Sequence, residues 1–168
     1  TANSVSEISA IYDTSNNKVV IAYEVSFDGK AIVGTVSGTS ISFGSVVTFT
    51  LEDVRYVSTI YDSANNKVVI AYVDDGSSGT ERGTAVVGTV SGTSISFGTP
   101  VVFESDNNVD PGLDTISTTF DSNSNKVVIA YKTPINFFSA PGKAIVGTVS
   151  GTSISFGSAV TYEANNPG

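Results

Sequence analysis

The chain contains no cysteine, histidine, methionine or tryptophan. Without thiols there is no disulfide framework and no thiolate zinc site, and without imidazole no histidine ligand or general base. Ser–His–Asp and Cys–His nucleophile systems are thereby excluded, while Ser–Lys and paired-carboxylate chemistry stay formally open. Basic residues are scarce as well: eight Lys and Arg stand against sixteen Asp and Glu, a net charge of −8. Such a surface repels phosphate backbones and anionic lipid, so nucleic acid is not an expected partner. No apolar run approaches the ~18 residues of a membrane-spanning helix, so membrane insertion is not expected, and no signal peptide is visible. The first residue is Thr1 and no Met occurs, which reads as a processed product or a window cut from a longer chain. Charged residues make up only 14% of a sequence rich in Ser, Thr, Gly and Asn. That composition is associated with secreted bacterial and viral fibre proteins, and an extracellular place on a cell or virion surface is expected.

What the chain does have is repetition. Gly-Thr-Val-Ser-Gly-Thr-Ser-Ile-Ser-Phe-Gly occurs unchanged at Gly34–Gly44, Gly88–Gly98 and Gly147–Gly157. Asn-Lys-Val-Val-Ile-Ala-Tyr recurs at Asn17–Tyr23, Asn66–Tyr72 and Asn125–Tyr131. A spacing of about 50 to 60 residues marks one supersecondary unit copied in tandem, which must stack on its neighbours to bury its apolar faces. Repeats are expected over residues 1–49, 50–103 and 104–168, forming one continuous array.

Within a repeat, four short strands alternate with brief turns. In the first copy they run Glu7–Asp13, Lys18–Tyr23, Lys30–Val36 and Ile41–Phe49. The Asp13–Asn17 cluster forms a turn through side-chain bonds to nearby amides, and the pattern predicts an antiparallel meander. Val19–Tyr23 and Ala31–Val33 are apolar at every position, which predicts strands covered on both faces. The fourth strand alternates and is interrupted by Gly44 and Gly98, with Pro100 following in the second copy, so it belongs at the outer edge. The fold class expected is therefore all-β, with three four-stranded meanders as β-propeller blades. Tyr12, Tyr61 and Phe120, in register near the end of the first strand, read as packing between blades.

Propellers close with about four to eight blades, so three leave two apolar faces open. The array is expected to continue or to be completed by other copies. Two chains make a six-bladed ring, whereas a non-closing interface makes a filament. Expected partners are thus copies of itself or further repeats.

The copies vary in length between the second and third strands (24–29, 73–83 and 132–142) and in the connector to the next repeat (50–55 and 104–113). In a meander both lie on one rim, a place where binding surfaces are often built, although loops also simply tolerate insertion. On that rim Asn136, Phe137 and Phe138 are a candidate for packing, subunit contact or ligand stacking, with Asp74 and Asp75 as further contact candidates. Asp106, Asp110 and Asp114 crowd hard oxygens together as a candidate Ca²⁺ site; no other cofactor is expected. Asp13, Asp62 and Asp121 open the first turn of each repeat, as a turn device or, alternatively, a repeated weak cation site. The two arginines, Arg55 and Arg82, are too few for a sialidase-like carboxylate clamp, and no glycine loop sits between a strand and a helix to cradle phosphate. No enzyme is expected.

The segments Asp13–Tyr23 and Gly34–Gly44 resemble tandem repeats of environmental bacterial and phage proteins, large surface or tail-fibre-like chains. That resemblance spans nearly the whole sequence and implies an extracellular structural or adhesive role, with no catalytic residues to transfer. The chain also loosely resembles lectin propellers, some of which assemble from short chains, but it lacks their sugar-gripping Trp and Arg pattern. The function expected is a non-enzymatic subunit or segment of a fibre, assembled by blade stacking. The alternative is a lectin-like module holding cell-surface glycans on the variable rim.

Overall fold

The computed structural model describes residues 4–76, 80–105, 115–133 and 141–164. Among these there is no helix; fifteen strands form three separate antiparallel sheets, as the sequence predicts. Sheet 1 holds β1 (Val5–Asp13), β2 (Lys18–Val25), β3 (Asp28–Ser37), β4 (Ser40–Phe43) and β5 (Val47–Thr50). Sheet 2 holds β6 (Val54–Asp62), β7 (Lys67–Gly76), β8 (Thr80–Ser91), β9 (Ser94–Phe97) and β10 (Val101–Ser105). Sheet 3 holds β11 (Ile116–Asp121), β12 (Lys126–Lys132), β13 (Gly142–Ser150), β14 (Ser153–Phe156) and β15 (Val160–Glu163).

Each sheet is a four-stranded meander whose outer strand is broken in two. In sheet 1 both β4 and β5 pair with β3, and the other sheets repeat this. Glycine makes the break without losing the ladder: the Gly44 amide donates to the Val33 carbonyl at 2.9 Å, and Gly98 to Val87 at 2.9 Å. The first turns are built as expected. Asp13 Oδ1 accepts the amides of Ser15 and Asn16 at 3.0 Å, and Asn16 Nδ2 donates to Oδ2 at 2.8 Å. Asp62 does the same for Ala64 and Asn65. Asn17, Asn66 and Asn125 close these turns at φ of 52°, 55° and 56°, a left-handed conformation that Asn tolerates.

Two apolar layers hold the three sheets together. Val20, Ala22, Ala31 and Val33 of sheet 1 pack on Val68, Ile70, Tyr72 and Val86 of sheet 2. On the other side of sheet 2, Val69, Ala71, Ala85 and Val87 pack on Val127, Ile129, Tyr131 and Ile145 of sheet 3. One aromatic keys each junction. Phe49 lies 5.2 Å from Tyr72 and 5.7 Å from Phe97, ring centre to ring centre. Phe103 lies 5.3 Å from Tyr131 and 5.5 Å from Phe156. Tilted and edge-on contacts of this kind add about 0.5–1.5 kcal/mol beyond the area they bury.

The first strands are the nearest neighbours between sheets, β1 beside β6 and β6 beside β11. Ser9 Oγ lies 2.7 Å from Thr59 Oγ1 and accepts the Thr59 amide at 3.1 Å. Ser58 and Thr118 repeat the arrangement at 2.9 and 3.1 Å. The sheets thus pack blade on blade, tied at their inner strands by hydroxyl and amide bonds.

Candidate assembly faces and the variable rim

Sheet 2 is covered on both faces; sheets 1 and 3 are covered on one face each. On β7 every residue from Val68 to Val73 is buried. On β2 the alternate residues Val20 and Ala22 are buried while Val19, Ile21 and Tyr23 stay partly open. On β12 the phase reverses: Val127, Ile129 and Tyr131 are buried, Val128 and Ala130 partly open. Side chains alternate across a strand, so the open faces of sheets 1 and 3 are opposite faces of the same repeat.

The open face of sheet 1 carries Ile8, Tyr12, Val36, Ile41 and Phe43, all exposed. A shallow apolar groove there is lined by Val5, Ile8, Ile21, Tyr23, Ile32 and Phe43. The corresponding positions on sheet 2, Val54, Ile70, Tyr72 and Val86 among them, are closed over by sheet 1. The open face of sheet 3 carries Val146, Val160 and Tyr162, with a groove bounded by Ser117, Ala130, Gly142 and Tyr162. Tyr162 occupies the position of Phe49 in the repeat, yet it is 65% exposed where Phe49 is 7% exposed. Contiguous apolar surface rimmed by polar residues is characteristic of an interaction site.

The variable rim corrects one expectation. Residues 73–83 were expected as a loop, but β7 and β8 run on as a hairpin in which Val73 pairs with Gly83, Asp74 with Arg82 and Asp75 with Glu81. The cross-strand Asp74–Arg82 pair favours the extended ladder. In the first repeat the corresponding connection is shorter still, a hairpin turn with Ser26 and Phe27 at φ of 55° and 75°. Asp74 and Asp75 are therefore successive residues of a strand, whose side chains leave it on opposite faces. Arg55 Nη2 lies 2.5 Å from Asp75 Oδ2 and 3.7 Å from Asp53, and its Nη1 lies 3.1 Å from Glu81. Asp74 Oδ2 meets Arg82 at 3.4 Å, while its Oδ1 is buried without a hydrogen-bond partner. Burial pushes the Asp74 carboxyl above the ordinary aspartate range, opposed by Arg82 and reinforced by Glu52 and Asp75.

At the second junction Glu104 of sheet 2 accepts the Tyr131 hydroxyl at 2.8 Å and the Lys143 ammonium at 3.1 Å, both from sheet 3. Burial first, then the bond and the charge of Glu104, raise the Tyr131 phenol. Asn136, Phe137, Phe138, Asp106, Asp110 and Asp114 lie outside the described residues. Among the described residues no three acidic side chains gather into a metal-holding group, and the carboxylates of Asp13 and Asp62 are engaged by their own turns.

That Arg55, Glu81 and Arg82 are neighbours of the two aspartates is not legible in the sequence, because their meeting depends on hairpin register. The open sheet faces have a signal in the repeat alignment, where Tyr162 stands at the position of Phe49 and Phe43 at that of Phe97.

Fold and faces define an all-β tandem-repeat protein of stacked antiparallel sheets with an apolar face open at each end of the stack. No protein-family model matches the chain, and no curated protein matches it. Among solved structures it is similar to that of a fucose lectin from Kordia zhangzhouensis in complex with methyl-fucoside. The identity is 12% and the TM-score 0.40, over 90% of this chain and 97% of that one. A likeness at that level says nothing of what this chain binds.

Proposed function

We propose that this chain is a non-enzymatic structural module of an extracellular assembly, a subunit or segment of a fibre, whose work is to join further blades of its own kind. The observation that carries the reading is the opposite phase of burial on β2 and β12. Identical side chains are closed over on one face at one end of the stack and on the other face at the other end. Such ends suit addition of blades at both sides, and burying a Val, Ile or Phe side chain contributes about 1.5–3 kcal/mol each. The repeated turns are bonded within themselves, and the rim arginines are paired with rim carboxylates. Both features fit a scaffold.

Electron microscopy of the purified chain, with a glycan-array screen of the same material, tests this. Assembled particles larger than the 17.3 kDa chain, with no glycan retained, are expected. A dispersed single chain that retains a defined glycan through the rim would replace the structural reading with the lectin-like one.

A further inference from the structure

We infer that the two open faces are halves of one interface, and that a second copy of this chain fills each, head to tail, so that two chains close a six-bladed ring. This rests on the blade stacking proposed above, not on an open run of blades: it names the partner and its contacts, and makes the closed pair the unit that any larger assembly is built from.

The internal junctions supply the template. At the junction of sheets 2 and 3, Phe103 stands between Tyr131 and Phe156, and Glu104 takes up Tyr131 and Lys143. Carried along the repeat, these positions become Tyr162 and Glu163 on the open face of sheet 3. On the open face of sheet 1 they become Tyr23, Phe43 and Lys30. Sheet 3 of one copy, laid on sheet 1 of the next, therefore sets Tyr162 between Tyr23 and Phe43 and brings Glu163 to the Tyr23 hydroxyl and Lys30. At the junction of sheets 1 and 2 the same polar positions are Thr50 and Thr84. The free ends thus match the second junction in charge as well as in shape. Lys30 is already on the surface, paired with Asp28 of its own sheet at 3.3 Å.

The backbone fits the same way. A Cβ on Gly44 would overlap the Thr93 carbonyl, and one on Gly98 the Thr152 carbonyl, because each outer-strand glycine receives the last turn of the following sheet. Gly157, the third member, has nothing nearer than the Val146 carbonyl at 3.9 Å. The turn at Thr39, the first member of the Thr series, is exposed. One knob and one socket are left over, at opposite ends. One detail departs from the template: Ala10 stands where Thr59 and Thr118 stand, so Ser117 gains an amide donor there but no hydroxyl partner.

Ring closure follows from two constraints. The inner strands of neighbouring sheets lie closest, so the stack fans about that edge. A ring built from copies of the three described sheets holds a multiple of three blades, and the range of about four to eight leaves six. A head-to-tail contact whose rotation closes gives a ring.

Native mass measurement of the chain at micromolar concentration tests this, with two variants on exposed positions, Tyr162→Asp and Phe43→Asp. The unaltered chain is expected at twice its 17.3 kDa mass. Each variant alone is expected as single chains with the β circular dichroism retained, its dissociation constant raised roughly thirtyfold or more, as for a central aromatic anchor. Mixing the two restores a one-to-one pair through the single junction in which both halves are intact. Should an aspartate variant lose its β signal, Glu163→Lys, rescued by Lys30→Glu, probes the same junction. A pair indifferent to these changes overturns the inference but leaves stacking standing, as do long polymers in place of pairs. Single chains at every concentration overturn both.

Discussion

Asn-Lys-Val-Val-Ile-Ala-Tyr stands in three places in this molecule with three different surroundings. In sheet 2 its apolar residues are sealed on both faces; in sheet 1 one face is open, and in sheet 3 the other. Since the residues are the same, burial here is a property of position in the stack and not of the strand. An uninterrupted apolar run is what a strand needs if a neighbour is to arrive on either side. The open ends keep that run although no described sheet covers it, and this is the ground for proposing an interface there.

The largest effect that separates these environments comes from one truncation made three times. Ile70 and Ile129 are fully buried, so Ile70→Ala and Ile129→Ala are each expected to cost about 2–5 kcal/mol in urea unfolding. Ile21, partly open on sheet 1, is expected to cost about 1 kcal/mol or less. The series is best run in a Tyr162→Asp background, where pairing between chains does not contribute. Equal losses at all three positions would break the comparison, for the face around Ile21 would then be sealed within a single chain.

A smaller effect sharpens it. Gly98→Ala drives a methyl into the Thr152 carbonyl and is expected to cost about 1–3 kcal/mol through overpacking. Gly157→Ala meets nothing nearer than the Val146 carbonyl at 3.9 Å and is expected to change the stability of the single chain by no more than about 0.5 kcal/mol. The same methyl stands where the Thr39 turn of a second copy would seat, so pairing is expected to weaken while folding does not. Thermal unfolding and native mass on the same samples read the two effects separately.

Much of this architecture was legible in the sequence because the repeat carries its own punctuation. Asp13, Asp62 and Asp121 mark the first turns, Gly38, Gly92 and Gly151 the last, and all sit where expected, the glycines at φ near 60°. Gly44 announced the broken outer strand. Less legible was anything set by register. Asp74 and Asp75 look like loop carboxylates because hairpin length between unlike repeats is not written in a local pattern, and only pairing with Arg82 and Glu81 places them on a strand. Which face of each identical strand is open cannot be read from the strand at all, since it depends on which sheets stand beside it. The open sheet faces follow from three blades, whereas the contact residues on them, Tyr162 and Phe43 among them, emerge only once the sheets are placed side by side.

Two aspartates carry the comparison into pH dependence, with the smallest expected effect. Asp74 is buried against the rim, and burial raises its carboxyl above the ordinary range. Asp121 lies at the surface, and the Ser124 hydroxyl with the amides of Asn123 and Ser124 lowers its carboxyl below that range. The folded chain thus holds the Asp74 proton more tightly than the unfolded chain does. In the window just above the ordinary aspartate range the unfolded chain binds fewer protons, so this group makes stability fall as pH rises. Asp121 acts with the opposite sign: its contribution is present above the ordinary range and is lost as pH falls through the window below it. Urea midpoints followed from acid to neutral pH are expected to lose the upper decline in Asp74→Asn and the lower rise in Asp121→Asn. Interchanged slopes would mean that the Asp74 carboxyl is held chiefly by Arg82 as an ion pair. The buried Oδ1, which no protein group bonds, argues against that, because a carboxylate with one long contact to arginine gains little from its charge against what burial costs it.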